Sequence, residues 1–268
     1  MRATLFALAM TAAIAAGCGS AELEDELAVQ GRGGRLPASV EGGGEPVPHA
    51  PAAWCEAGRR ARLGDREVAY AARATRRLAA FLRPGENPVR IFDRTNVNGV
   101  RTVFGVVAAV RDERCRTLWY RVQLPMRPNG ETGWVRARDV ELFRVRTRIE
   151  VDLSERRIDF LREGRRVLRV TAAIGKSGTP TPVGRFYVNQ RLLSGNPSGP
   201  FGPGAIGISA FSPVLTGWTQ GGPIAIHGTN DPASIGSAAS YGCLRIENRH
   251  VERMLRANPE GTPVLIRR

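Results

Sequence analysis

The chain has 268 residues, 39 basic and 25 acidic side chains and a formal net charge of +14, which leaves room for two domains with real cores. The charge does not mark a nucleic-acid binder: the basic residues are spread along the whole sequence, a single one of them is lysine, and no basic-aromatic recognition motif occurs.

Met1-Arg2 gives a positive start, Ala3 to Ala16 is an apolar run too short to span a bilayer comfortably, and Ala15-Ala16-Gly17-Cys18 follows. This is similar to a bacterial lipoprotein signal, which implies lipidation of Cys18, export, and membrane anchoring through an N-terminal lipid, facing the cell wall or periplasm. Residues 19–53 are rich in Gly and Pro, as in Gly31-Arg-Gly-Gly34 and Gly42-Gly-Gly-Glu-Pro-Val-Pro48, and read as a flexible tether. Such a segment would span roughly 30 to 35 Å on average.

From residue 54 to 146, short apolar runs are separated by Asn-Gly and Pro-Gly turn signals. Val89-Arg-Ile-Phe92, Val103 to Val110, Leu118 to Leu124 and Gly133-Trp-Val135 are expected as strands of a small β-barrel-like module. The pattern resembles the small bacterial Src-homology-like barrels that accompany wall enzymes. Residues 56–82 leave two readings open, since Arg/Ala-rich sequence favours helix by propensity while a barrel needs a strand at the segment's end. The chain has four cysteines. With Cys18 assigned to lipid and Cys243 to catalysis, Cys55 and Cys115 remain as a pair, read either as a disulfide, which an oxidising compartment permits, or as two buried free thiols. Closing a loop of about 60 residues would stabilise by roughly 4 kcal/mol.

Residues 147–268 are expected to form a second, mainly β domain. Ile149-Glu-Val-Asp-Leu153, Arg157-Ile-Asp-Phe-Leu161 and Val167-Leu-Arg-Val-Thr171 alternate apolar and polar positions as half-buried strands do. Gly195 to Gly204 is a turn-rich insertion placed to line a groove, with Phe211 and Trp218 as further candidates for its walls. Pro223-Ile-Ala-Ile226 reads as a buried strand delivering His227 at its end. A short helix is expected from Asn248 to Ala257, and Pro263 to Ile266 as a closing strand.

The chemistry concentrates at His227 and Cys243. The chain has only three histidines, His49, His227 and His250; the first falls in the Pro/Gly-rich segment and the third on the helix, so His227 is the natural base for the thiol. An imidazole that takes the thiol proton creates a strong nucleophile. The surrounding residues are His227-Gly228-Thr229, Gly236, Ser240, Gly242-Cys243 and Arg245, preceded by Ile174-Gly-Lys-Ser-Gly-Thr-Pro-Thr-Pro182-Val-Gly184-Arg-Phe186. Together these resemble the two signature blocks of the YkuD-type L,D-transpeptidase catalytic domain over roughly residues 147–268. One position departs from the family's pattern: Tyr241 stands where a histidine usually precedes the Gly-Cys pair.

The resemblance implies a β-sandwich-like catalytic domain with a short helix after the Cys motif. It also implies acyl transfer through a thioester on Cys243, with release of D-alanine from a peptidoglycan peptide stem and passage of the acyl group to an amine of a neighbouring stem. His227 would be the base, oriented by the Gly228 carbonyl, and the backbone N–H groups of Tyr241, Gly242 and Cys243 would form the oxyanion hole. Arg245 would hold a substrate carboxylate, with Ser240 and Thr229 beside it, fixing the loop through side-chain to backbone hydrogen bonds. Hydrolysis at the same site, as a carboxypeptidase, and a silent wall-binding lipoprotein are the alternatives. No cofactor or metal is expected, and anionic wall polymers are further partners for a basic surface.

Rival chemistries fail on particular residues. The phosphate-binding loop that Gly175-Lys176-Ser177 mimics needs glycine where Val170 stands. Serine penicillin-binding chemistry needs Ser-x-x-Lys, and Ala173 occupies the serine's place. A Gly-x-Ser-x-Gly elbow fails at Ala238. His227, Cys243 and His250 lack the paired spacing of a zinc site.

Overall fold

The computed structural model describes residues 45–46 and 60–268. The expected leader with Cys18, most of the expected tether and Cys55 lie outside the described residues. Two large sheets follow one another along the chain.

The first sheet contains β1 (Glu45–Pro46), β2 (Arg60–Arg62), β3 (Ala69–Ala74), β4 (Leu78–Phe81), β5 (Pro88–Phe92), β6 (Val103–Arg111), β7 (Thr117–Gln123), β8 (Thr132–Arg136) and β9 (Val140–Val145). Its ladder runs β1-β9-β3-β6-β7-β8-β4-β5, with β2 paired beside β6. This is a path with two ends rather than a closed ring. Ala72, Ala80, Phe104, Val122 and Val135, all inaccessible to solvent, anchor its core. The ambiguous stretch 56–82 resolves as β2, β3 and β4 where it is described. The alanines of β3 and β4 are small enough to sit under neighbouring strands, and burial outweighs their helix propensity.

The second sheet contains β10 (Thr147–Asp152), β11 (Arg157–Arg162), β12 (Arg165–Thr171), β14 (Gly184–Leu193), β15 (Gly204–Phe211), β16 (Pro223–His227), β18 (Leu244–Arg245) and β19 (Pro263–Arg267). The order is β12-β11-β10-β19-β14-β15-β16-β18, and a two-stranded ribbon joins β13 (Ile174–Gly175) to β17 (Ala238–Ser240). Helix α1 (Asn248–Ala257) buries Val251, Met254 and Leu255 in the same core as Ile158 and Phe160 of β11 and Leu244 of β18. A ten-residue helix cannot cover eight strands, so strands from both ends of the ladder share one core because the sheet folds over on itself. This is the mainly β, sandwich-like architecture expected of the C-terminal half, and α1 falls where the sequence predicts it.

The two sheets are in direct contact. The buried Tyr187 hydroxyl on β14 donates to the Val103 carbonyl on β6 at 3.0 Å, and Gln123 on β7 donates to the Arg185 carbonyl on β14 at 2.9 Å. Cys115, in the turn between β6 and β7, is disulfide-bonded. Its expected partner, Cys55, lies outside the described residues.

Candidate active site

The position of the thiol follows from strand pairing. Strands β16 and β18 are parallel neighbours, with Ile226 opposite Leu244 and His227 opposite Arg245. Side chains alternate along a strand. Ile224, Ile226 and Leu244 therefore point into the core, while Ala225, His227, Cys243 and Arg245 point the other way, into one cleft. His227 and Cys243, 16 apart in sequence, thus line the same cleft from neighbouring chain segments.

The imidazole of His227 is 4% exposed. Its Nδ1 lies 2.6 Å from the Gly228 carbonyl oxygen, so Nδ1–H donates there and Nε2 is left as the acceptor. The Phe201 ring meets it edge-on, 4.9 Å between centroids. Burial holds the imidazole's pKa down at about 4, against the upward pull of the Gly228 hydrogen bond, and the Arg245 charge adds to the lowering. Cys243 is half-buried and is the free cysteine among the described residues. Burial pushes its thiol up, partly offset by the Ala225 backbone and by Arg245. Both members of the pair are accordingly neutral at pH 7.

The loop that presents Cys243 is held by the upstream Thr-Pro-Thr-Pro block. Thr179 donates to the Ser240 carbonyl at 3.1 Å, and Thr181 donates to the Gly242 carbonyl at 2.9 Å while accepting from the Gly175 N–H. The Ser240 hydroxyl donates to the Cys243 carbonyl at 2.6 Å and accepts from the Gly242 N–H at 3.1 Å. Gly242 has φ +115°, and a Cβ there would crowd Ile224, so both backbone conformation and space require glycine.

These bonds bear on the roles expected of the loop. The Gly242 N–H is committed to Ser240, which leaves Tyr241 and Cys243 as the oxyanion donors to carry forward. Ser240 and Thr229 are buried and serve the backbone: the Thr229 hydroxyl accepts from the Asp231 N–H at 2.9 Å, and its own N–H donates to Asn248 Oδ1 at 2.8 Å. Through these bonds both residues hold the loop.

Arg245 lines the cleft with its Nε buried and without a hydrogen-bond partner among the described residues. Its Nη1 reaches Ser234 Oγ only at 3.5 Å. Tyr241 stands at the rim, 42% exposed. The lysine ammonium of Lys176 lies 4.1 Å above its ring, and the Trp218 ring is tilted against it at 5.7 Å. Pro200 and Phe201 of the Gly-rich insertion and Trp218 do line the cleft. Phe211 instead packs under the Arg127 guanidinium, 5.5 Å away.

Sequence reasoning missed the opposite wall, where Gln190 of β14, Gln220 and Asn98 of the first sheet face the same cleft. No local motif marks them. They come together only through the packing of one sheet against the other.

A family model described as the L,D-transpeptidase catalytic domain matches residues 146–266. Among curated relatives, the chain is 42% identical over 96 residues to YkuD of Bacillus subtilis, covering 36% of this chain and 51% of that protein. It is 38% identical over 119 residues to YkuD of Bacillus licheniformis, covering 44% and 64%. Both names carry the term L,D-transpeptidase, and the chain spans between about half and two thirds of their length. A solved L,D-transpeptidase from Mycobacterium smegmatis superposes with a TM-score of 0.40 at 15% identity, covering 63% of this chain and 91% of that one. Residues 146–266, which carry the cysteine, the histidine and the threonine block behind them, belong to the L,D-transpeptidase catalytic domain family.

Proposed function

We propose that the chain is a peptidoglycan L,D-transpeptidase that cross-links peptide stems through a thioester on Cys243. The observation that carries this reading is the pairing of β16 with β18, which turns His227 and Cys243 into one cleft while Gly228 fixes the imidazole tautomer. Because thiol and imidazole are both neutral at rest, proton transfer accompanies attack. The Cys243 sulfur bonds to the carbonyl carbon before the terminal D-alanine as its proton passes to His227 Nε2. The tetrahedral oxyanion is met by the Tyr241 and Cys243 N–H groups. Collapse breaks the C–N bond, and the imidazolium gives its proton to the departing amine of D-alanine. An amine of a second stem then attacks the thioester, and its proton passes by way of His227 to the departing sulfur, which leaves as the free thiol. The Arg245 guanidinium, with an unpaired buried N–H, offers the bidentate donors a stem carboxylate would need.

The test is mass spectrometry of products after the full chain meets a disaccharide-tetrapeptide, with Cys243→Ala alongside. A dimer lighter by one D-alanine, absent in the variant, is the expected result. Tripeptide alone would replace transpeptidation with hydrolysis at the same thioester, and unchanged substrate would leave the wall-binding reading in its place.

A further inference from the structure

The cleft has a floor of small residues and a second, uncharged end. Gln190 of β14 is paired with Gly207 of β15, and Gly207 with Ala225 of β16. The register of β16 with β18 continues this line to Cys243, one residue before Leu244. Gln190, Gly207, Ala225 and Cys243 therefore form one row across four strands, and all four line the cleft. Three strand spacings separate the thiol from Gln190 by about 14 Å. Gly207 keeps the far end open, since a Cβ there would lie 2.6 Å from Gln190 Cγ.

At that far end the first sheet joins the site. Gln190, 8% exposed, accepts at Oε1 from Asn96 Nδ2 at 2.7 Å and from Asn98 Nδ2 at 2.9 Å. Asn98 Oδ1 in turn accepts from Gln220 Nε2 at 3.2 Å. The loop between β5 and β6 is preset for this, because Asn96 Oδ1 accepts from the Asn98 and Val100 N–H groups. The loop carrying Trp218 and Gln220 is also gripped from the first sheet. Arg127 donates to the Gly221 carbonyl at 2.6 Å, and the Asn129 amide both donates to the Phe211 carbonyl and accepts from its N–H, at 2.7 and 2.9 Å.

We infer that the N-terminal sheet completes a peptide subsite, in which Asn98, Gln190 and Gln220 bind the backbone amides of a stem whose acyl end sits on Cys243. Carboxamides offer neutral donors and acceptors, which match peptide groups rather than phosphate or carboxylate. An extended peptide rises about 3.3 Å per residue, so roughly four residue lengths cover the row. Asn98 is then a specificity residue contributed by the first sheet, and Asn129 a positioning residue for the loop opposite. This subsite rests on the proposed function and deepens it.

The experiment uses the full chain and two acyl donors, the disaccharide-tetrapeptide and a short donor that keeps the scissile D-alanine but lacks the distal arm. Asn98→Ala is expected to lower the ratio of kcat/KM between long and short donors about ten-fold, through KM on the long donor, the effect of one lost hydrogen-bonding group. Asn129→Ala is expected to move the same ratio in the same direction, with KM rising more than kcat falls. A ratio unchanged in both variants overturns the subsite, as does an equal loss on both donors. Should the wild type turn over neither donor, the proposed activity falls. The subsite is then decided by calorimetry of the tetrapeptide with Cys243→Ala and with Cys243→Ala/Asn98→Ala, where equal affinities overturn it and weaker binding by the double variant upholds it.

Discussion

Burial keeps the His227 imidazole neutral down to about pH 4 and pushes the Cys243 thiol up, so the reacting pair is not stored as thiolate and imidazolium. The consequence is measurable without any substrate. Alkylation by iodoacetamide follows the thiolate fraction. Since the thiol's pKa is raised, the rate at Cys243 is expected to climb steadily above pH 8, with no plateau between pH 5 and 7. A plateau in that acidic window, read from the pH dependence of the alkylation rate, would mean a pre-formed ion pair and a different first step. The thiol and its base were legible in the sequence because scarcity and motif isolate them: three histidines, and one cysteine set beside a Ser-x-Gly turn. Their neutrality was not legible. It depends on Phe201 against the imidazole and on the fold's burial of both groups, neither of which spacing encodes.

Among elements, alternation told most of the truth. Strands β10, β11 and β12 and helix α1 fall where the polar-apolar periods place them, because each has one face on the core and one toward solvent. Strand β15 gives no such signal, since seven of its eight residues are buried and its alternation is erased. Strand β14 hides another feature. Arg191 and Glu260 form a bidentate ion pair at 2.9 and 3.0 Å, with Arg191 also donating to the Leu255 carbonyl at 2.8 Å. The pair is almost inaccessible and ties β14 to the turn after α1, behind the cleft wall. Removing one partner strands a buried charge, which typically costs about 3 to 5 kcal/mol. Glu260→Gln should therefore lower unfolding free energy by about 3 kcal/mol, measured by urea denaturation with the m-value unchanged. A loss below about 1 kcal/mol would show that the guanidinium finds water or other partners and that β14 does not depend on the pair.

At the scale of the whole molecule, the two sheets behave as one structural unit rather than as beads on a string. Tyr187 is wholly buried, and its hydroxyl spans the junction to the Val103 carbonyl. Gln123 and Asn129 reach from the first sheet to backbone groups of the second, and Arg148 reaches from the second to the Asp65 carbonyl of the first at 2.9 Å. Separating the sheets would expose that tyrosine and strip several buried or half-buried polar groups of their partners, so opening the junction is coupled to unfolding either half. A single calorimetric transition is expected for the full chain, with calorimetric and van't Hoff enthalpies equal. Tyr187→Phe leaves the Val103 carbonyl without its donor and should cost about 1 to 3 kcal/mol. The decisive outcome is the shape of the transition: one peak in the wild type, retained at a lower Tm in the variant, fits a shared unit, whereas two resolved peaks in the wild type would mean that the junction transmits little. Coupling of this kind would also explain how a sheet with no thiol chemistry of its own holds Asn98 steadily enough against Gln190, at 2.9 Å, to sort one peptide from another.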